Sequence, residues 1–245
     1  MTHPLRLQQL VKLVDLTRLN DQDNEVAVEQ WLEQQLSTPA AVPPAAICVY
    51  PAYLPLVQHW LQQRGIHCRL ATVVNFPAGN QPIEQVEREI ATALAAGADE
   101  IDCVLPYQQL VKGQLDEVRT FLGRVRTACG QQLLKVIIES GELATAQQVC
   151  KATELVIDCG ADFVKSSTGK VPVGVTEDAA RIMLTAIAAA DRSVGFKASG
   201  GVRSIEFAER LLGLYEELTG QLATAQTMRI GASGLLQDIQ QALDY

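Results

Sequence analysis

Two lysines that end apolar runs are the residues of this sequence most suited to covalent chemistry. Lys165 stands in "GADFVKSSTGK", and Lys197 stands in "GFKASGGVRS". If these runs are neighbouring parallel strands, about 4.8 Å apart, inward-pointing lysines at similar height would crowd their amines. At about 4 Å and an effective dielectric of about 20, the repulsion is about 4 kcal/mol, which would lower one lysine pKa by about 3. An unprotonated amine can attack a carbonyl and form a Schiff base.

For either lysine alone, the alternative is a purely structural role, in which it forms salt bridges and fills the interior. The presence of two such lysines makes this alternative less favoured. Lys135, in "LLKVIIES", is a third such lysine. Glu100, Asp102 and Glu139 also fall on positions that we expect to face inward. Buried ions need partners, so we expect Lys135 to balance these carboxylates.

Asp102 is the candidate for proton transfer. It follows Glu100 by two residues in "GADEIDCVLPY", so the two carboxylates share one face of a strand. We expect Glu100 to lie deep and Asp102 to lie nearer the mouth. There Asp102 can shuttle protons, through a water, during carbinolamine formation and C–C cleavage.

Glycines after the last two apolar runs predict an anion site. Gly200, Gly201, Gly231 and Gly234 follow these runs, where barrel proteins often bind phosphate through backbone N–H groups, and Ser233 can add a hydroxyl. The segment "SSTGK" resembles a nucleotide-binding P-loop only superficially. Val164 occupies the first glycine position of that motif, and Val171 follows the lysine instead of Ser or Thr.

The elements that must position these residues are strands that alternate with helices. Residues near the ends of the eight Val- and Ile-rich runs are separated by 27 to 33 positions, and amphipathic patterns lie between them. One such pattern places Ile83, Val86, Ile90 and Leu94 on one face, with Gly97 as the left-handed cap. This regular spacing predicts a (β/α)8 TIM barrel, with residues 1–245 as one domain and active groups at the strand C-termini. The alternative is an open doubly wound sheet, but "VDLTRLNDQD" lacks its glycine-rich turn.

Composition excludes several function classes. The net charge is −8 and the Lys and Arg residues are scattered, which disfavours nucleic acid and anionic membranes as partners. No stretch approaches the roughly 18 apolar residues of a membrane span, and we expect a soluble, cytoplasmic protein. The six cysteines form no C-x-x-C pair, and we expect reduced thiols. The three histidines lie outside the strand ends, so we expect no metal site.

Eight motifs, in order and over nearly the whole chain, resemble the deoxyribose-phosphate aldolase family. The most specific combination is "DFVKSSTGK" with "GFKASGGVR" at this spacing. The other matching segments are "VDLTRLN", "AAICVYP", "ATVVNFPAG", "GADEIDCVLPY", "LKVIIESGEL" and "RIGAS".

The resemblance implies a class I aldolase without cofactor or metal. Such an enzyme reversibly cleaves 2-deoxy-D-ribose 5-phosphate to acetaldehyde and D-glyceraldehyde 3-phosphate, a step of deoxyribonucleotide catabolism. It implies that Lys165 forms the Schiff base, while Lys197 perturbs its pKa and joins Asp102 in proton transfer. Asp15 and Cys48 match residues that line the substrate side of the site. The positions that match phosphate contacts are Gly169, Gly200, Gly201, Gly231 and Ser233. Since relatives are often dimers, a homodimer is the assembly to test.

The sequence departs from the family pattern at three positions. Ala198 stands where Pro is expected, Ser166 where Thr is usual, and Gly234 where a second Ser often follows Ser233. All three residues keep their backbone N–H donors. Loss of one hydroxyl should weaken phosphate binding by about 1 kcal/mol at most. Some relatives use a C-terminal Tyr on a flexible tail. This chain ends in Tyr245, but its helical pattern leaves little tail to fold back.

Two other functions fit the same barrel. One is a phosphosugar isomerase or decarboxylase that uses Asp102 as its base. The other is a barrel that binds sugar phosphate without turnover. An isomerase needs one base and one electrophile and gains nothing from two crowded amines, and a binding protein need not tolerate their repulsion. The lysine pair therefore favours the aldolase.

Overall fold

Eight parallel strands hydrogen-bond in chain order and close into a barrel, because β8 also pairs with β1. A computed structural model describes residues 3–36 and 42–243. The strands are β1 (Val14–Arg18), β2 (Ala46–Val49), β3 (Arg69–Val74), β4 (Glu100–Val104), β5 (Leu133–Ile137), β6 (Phe163–Lys165), β7 (Gly195–Ser199) and β8 (Met228–Ala232).

Helices surround this barrel and cover its outer face. In chain order they are α1 (Pro4–Leu13), α2 (Glu25–Leu36), α3 (Leu54–Arg64), α4 (Ile83–Ala95), α5 (Tyr107–Val111), α6 (Leu115–Cys129), α7 (Ala146–Asp158), α8 (Glu177–Ala188), α9 (Ile205–Thr219) and α10 (Leu235–Leu243). Single 3-10 turns lie at Pro51–Tyr53 and Ser140–Glu142. The (β/α)8 architecture predicted from the spacing of the apolar runs is confirmed.

Local sequence signals explain where these helices begin and end. Thr145, Thr176 and Ser204 precede α7, α8 and α9, and each side chain accepts a hydrogen bond from the backbone N–H three residues later. Such caps satisfy donors that the first helical turn leaves free. In α4, Val86 and Ile90 are buried against the strands as the periodicity predicts. None of the helices within the described ranges is long and apolar enough to cross a bilayer.

The barrel interior is divided into two chemically different sides. On β2 and β3, small apolar residues face inward and form a separate cluster of Ala46, Cys48, Ala71 and Val73 with Leu19. On the strands from β4 round to β1, inward positions carry buried charges. The register aligns Asp102 with Lys135, Lys165 with Lys197, and Lys197 with Arg229. The closed barrel therefore concentrates charge on one side of its interior.

The packing at Gly195 generates a first prediction. A Cβ built there would lie 2.3 Å from the ring of the buried Phe163, whereas one at Gly213 on α9 would meet nothing within 4 Å. Gly195→Ala should therefore destabilise the fold by about 1–3 kcal/mol through overpacking. The same change at Gly213 should stabilise it by about 0.5–1 kcal/mol, because glycine is unfavourable in a helix interior. Urea unfolding followed by circular dichroism measures both, and a Gly195→Ala protein as stable as the parent would contradict this packing.

Candidate active site

Lys165, the last residue of β6, and Lys197, in the middle of β7, lie side by side and share one carboxylate. The Nζ atoms of both lysines lie 2.8 Å from the same atom, Oδ2 of Asp102. The two nitrogens are therefore no farther apart than twice that distance. Both side chains are almost completely buried. The structure thus brings together the three residues that the sequence selects for chemistry.

Lys135 lies beneath this pair and holds the other side of the same carboxylate. Its Nζ is 2.8 Å from Oδ1 of Asp102 and 2.5 Å from Oε2 of Glu100. Asp102 therefore binds one lysine through Oδ1 and two through Oδ2. The expectation that Lys135 balances Glu100 and Asp102 agrees with these contacts. The expectation that it also balances Glu139 is wrong, because the Glu139 carboxylate binds Ser167 and Thr168 instead.

Asp15 and Arg229 complete the buried network. Arg229 donates to Oδ1 of Asp15 at 2.6 Å and to Oε1 of Glu100 at 2.8 Å. The other oxygen of Asp15, Oδ2, lies 2.5 Å from Nζ of Lys197. The network joins three carboxylates to four basic side chains, so the charges balance when one lysine is neutral. Arg229 escaped the sequence analysis, although its position on β8, in register with Lys197, places it in this layer.

The surroundings of the two lysines shift their pKa values in opposite directions. Burial lowers the pKa of Lys165, attraction to Asp102 opposes that effect, and repulsion from Lys197 adds to it, so the net pKa is lowered. Burial also lowers the pKa of Lys197, but attraction to Asp102 and Asp15 more than compensates, and its pKa is raised. From the sequence, repulsion between the two amines was the expected main cause of the lowered pKa. In the structure burial is the larger cause, and Asp15 distinguishes the two lysines.

Asp102 is held as a carboxylate. Burial by itself would raise its pKa, but Lys135, Lys165 and Lys197 together hold that pKa well below its ordinary value. The site therefore combines a lysine of lowered pKa, a lysine that keeps its proton, and a carboxylate that contacts both. A proton can pass from one amine to the other through a single oxygen atom.

Above the lysines a cleft of about 440 Å³ opens at the C-terminal mouth of the barrel. Lys165 reaches this cleft, and so does the set of residues that the sequence assigns to phosphate: Gly169, Gly200, Gly201, Gly231 and Ser233. Three cations that the sequence analysis did not select also line it, namely Arg18, Lys170 and Arg203. Arg203 ends "GGVR", two residues after Gly201, and Lys170 ends "SSTGK". The adjoining basic residues were therefore a usable signal.

The glycines allow backbone segments to approach closely at this mouth. Gly200 and Gly201 have φ values of +82° and +86°, where other residues are strained. A Cβ on Gly174 would lie 2.1 Å from the carbonyl oxygen of Gly200. The N–H groups of Gly200 and Gly201 make no hydrogen bond within the described parts of the chain. By contrast, the Gly169 N–H donates to Ser167 Oγ at 3.0 Å and is used inside its own loop.

Two residues assigned to the substrate side lie below the cleft. Asp15 is fully buried in the ion network, and Cys48 is fully buried in the apolar cluster on β2 and β3. Burial raises the pKa of the Cys48 thiol, which favours the neutral form. Their assignment as substrate contacts stays a prediction. Tyr245 lies outside the described residues, and α10 is helical to Leu243.

The remaining candidate ligands are dispersed. His3, His59 and His67 are exposed, and all six cysteines are free thiols. Across residues 3–36 and 42–243, no group of three or more His, Cys, Asp and Glu side chains is arranged to hold a metal ion. The chemistry that this site can perform with its own side chains is therefore that of its amines and carboxylates.

A closed (β/α)8 barrel whose mouth opens onto a lysine of lowered pKa belongs to the class of barrels that can react with carbonyl compounds. The chain is a member of the DeoC/LacD aldolase family, whose sequence model matches residues 9–237.

Solved structures show the same fold. A protein from Toxoplasma gondii ME49 described as a deoxyribose-phosphate aldolase superposes with a TM-score of 0.87 at 21% identity, over 98% of this chain and 95% of that chain. One of the same description from Coccidioides immitis has a TM-score of 0.82 at 26% identity, over 96% and 87%. A deoxyribose phosphate aldolase from Aeropyrum pernix, described as tetrameric, has a TM-score of 0.72 at 23% identity, over 96% and 93%.

The ion network predicts that Lys135 is required for stability. Lys135→Met leaves Glu100 and Asp102 buried without their shared partner and should cost about 3–5 kcal/mol. Lys151→Met, which breaks an exposed pair with Glu154 on α7, should cost less than about 1 kcal/mol.

The pH dependence of this loss follows from Asp102. Because its folded-state pKa is lowered, its ionisation stabilises the fold above the unfolded-state pKa of about 3.9, and that contribution is lost as pH falls through the folded-state value. The gap between parent and Lys135→Met should therefore narrow below about pH 4. Urea unfolding at several pH values measures it. A gap that is small at neutral pH, or constant with pH, would refute the role of Lys135.

Proposed function

We propose that this protein is a class I aldolase that reversibly cleaves 2-deoxy-D-ribose 5-phosphate to acetaldehyde and D-glyceraldehyde 3-phosphate. The observation that carries this proposal is the amine of Lys165. It is buried, lowered in pKa, open to a cleft, and linked through Asp102 to a second lysine that keeps its proton. Membership of an aldolase family supports the proposal.

The first half of the reaction uses Lys165 as the nucleophile. Its neutral amine adds to the C1 carbonyl of the open-chain sugar, and the resulting carbinolamine loses water to form a protonated Schiff base. The ammonium of Lys197 is the nearby acid for the departing hydroxide. Asp102, in contact with both amines at 2.8 Å, returns the proton between them.

The second half breaks the bond between C2 and C3. The C3 hydroxyl gives its proton to a base, its oxygen becomes the carbonyl of D-glyceraldehyde 3-phosphate, and the C2–C3 electron pair moves towards the Schiff base to form an enamine. Protonation at C2 and addition of water then release acetaldehyde and restore the Lys165 amine. Asp102, acting through a water, is the carboxylate placed to exchange these protons.

The phosphate is proposed to lie at the outer end of the cleft. The unused N–H groups of Gly200 and Gly201 can donate to it, as can the Ser233 hydroxyl. Ser233 stands just before α10, whose N-terminus favours an anion. Arg203 also lines the cleft, is exposed, and has no ion-pair partner among the residues described. These groups would anchor the phosphate while the aldehyde reaches Lys165.

The competing functions fit the same geometry less well. An isomerase or decarboxylase that uses Asp102 as its base has no use for two crowded amines, whereas here Lys165 and Lys197 both lie 2.8 Å from the same Asp102 oxygen. A protein that only binds sugar phosphate gains nothing from burying Lys165 and Lys197 together. The substrates that we propose are small phosphorylated sugars and aldehydes.

The direct test is to trap the Schiff base. The protein is incubated with acetaldehyde, reduced with borohydride, digested and examined by mass spectrometry. An ethyl group should appear on Lys165 and should be absent from Lys165→Leu, while exposed Lys112→Met, as a control, should react like the parent. Absence of any lysine adduct in the parent would sink the aldolase proposal. An adduct on Lys197 instead would keep the chemistry and exchange the two roles.

The pH dependence of trapping tests the role of Lys197. In the parent, adduct formation should rise with pH to a plateau, with a midpoint below the ordinary lysine pKa of about 10.4, because the pKa of Lys165 is lowered. Lys197→Met removes a neighbouring positive charge and leaves Asp102 Oδ2 to Lys165 alone. Both effects raise the pKa of Lys165, so the midpoint should move to higher pH. A midpoint that stays in place or moves down would argue against coupling of the two lysines.

A further inference from the structure

Glu139 is a buried carboxylate outside the lysine network, and it has an unusual backbone. It lies two residues after the end of β5, with φ 51° and ψ 57°, in the left-handed region that residues other than glycine rarely occupy. Its side chain is fully buried. A non-glycine residue persists in this conformation where the surrounding structure holds it, and such residues cluster at functional sites.

Among the residues that the structure describes, the hydrogen-bond donors to the Glu139 carboxylate all lie in the segment that follows β6. Ser167 Oγ donates to it at 2.5 Å and Thr168 Oγ1 at 2.5 Å. The backbone N–H of Thr168 also points at it, with distances of 3.1 and 3.3 Å to its two oxygens. Both carboxylate oxygens are thus occupied by donors from two adjacent residues. Hydrogen bonds to an ionised acceptor are stronger than neutral ones.

These bonds set the direction of two hydroxyl groups, and those hydroxyls in turn hold the next two amides. Ser167 Oγ accepts from the Gly169 N–H at 3.0 Å, and Thr168 Oγ1 accepts from the Lys170 N–H at 3.0 Å. A hydroxyl that gives its proton to a carboxylate presents its lone pairs to other donors. Glu139 therefore orders residues 167–170 through two layers of hydrogen bonds.

This segment forms one wall of the cleft. Thr168, Gly169 and Lys170 line it, and Gly169, at φ +74°, lies against Gly200 on the opposite wall. A Cβ on Gly169 would lie 3.6 Å from the Gly200 Cα atom. The position of residues 167–170 therefore sets the width of the cleft next to the unused amides of Gly200 and Gly201.

We propose that Glu139 is a positioning residue that sets the anion-binding geometry of the cleft by ordering residues 167–170. Glu139 forms no hydrogen bond or ion pair with Lys165, Lys197 or Asp102 within the described chain. It therefore controls affinity for the phosphate group and leaves Schiff-base formation unaffected. The assignment of this phosphate to a sugar substrate rests on the proposed function.

Glu139→Gln is the variant of choice, because it keeps the side-chain shape and replaces one acceptor oxygen by a donor. The KM for 2-deoxy-D-ribose 5-phosphate should rise about tenfold, equivalent to about 1.4 kcal/mol of binding free energy, and the inhibition constant of inorganic phosphate should rise equally. The kcat, the kcat/KM for unphosphorylated 2-deoxy-D-ribose, and acetaldehyde trapping at Lys165 should stay within about twofold of the parent.

Glu142→Gln is the matched control. Glu142 lies in the 3-10 turn Ser140–Glu142, which Glu139 immediately precedes, and it is exposed. Its side chain makes no hydrogen bond within the described residues. This variant should behave as the parent in every assay. Ser167→Ala removes one of the hydroxyls, and its effect on KM should combine less than multiplicatively with that of Glu139→Gln, because both changes break one network.

Two results would overturn the proposal. One is an unchanged KM in Glu139→Gln. The other is a parallel loss of all activities that follows the loss of thermal stability, which would indicate a purely structural role. If the parent protein forms no acetaldehyde adduct, the aldolase proposal fails separately, and phosphate binding is then measured by thermal protection. The concentration of inorganic phosphate that gives a set rise in unfolding temperature should be about tenfold lower for the parent than for Glu139→Gln. Equal protection of the two proteins would refute the role of Glu139.

Discussion

The carboxylate of Asp102 is the group on which the site depends. It lies in the barrel interior within 2.8 Å of three lysine amines, one through Oδ1 and two through Oδ2. A buried carboxylate is stable only with such partners, and buried ammonium groups need it in return. The two amines can lie close together because this one anion lies between them.

The difference between the two lysines arises from the residues around that carboxylate. Lys197 also contacts Asp15, and its pKa is raised. Among the described residues, Lys165 forms an ion pair with the shared Asp102 oxygen alone, and it opens towards the cleft. Arg229 in turn forms an ion pair with Asp15, and Glu100 forms one with Lys135. The buried network therefore lowers the pKa of the amine that opens onto the cleft. The same ion pairs stabilise the interior and set the pKa values of both lysines.

The walls of the cleft depend on a different feature, which is the close approach of two backbone segments. Gly174 and Gly200 lack side chains where a Cβ would collide, and Glu139 orders the facing wall through Ser167 and Thr168. The strands carry the charged groups, while the loops after β6 and β7 shape the space above them. Changes in these loops can therefore alter which substrates bind while the lysine network stays intact.

The barrel could be predicted from the sequence because its signals are local and repeated: apolar runs that alternate with amphipathic helices such as α4, at nearly constant spacing. The same pattern selected Lys165, Lys197 and Asp102, since a charged residue at the end of a buried run is conspicuous in the sequence. The pairing of Lys135 with Glu100 and Asp102 was also predictable, but the partners of the other charges were not. Arg229 lies within an apolar run and Glu139 follows one, as the other charged residues do. Arg229 nevertheless joins the lysine network, whereas Glu139 binds a neighbouring loop. Strand register and backbone conformation decide that, including the left-handed turn at Glu139, and both arise only when the barrel closes.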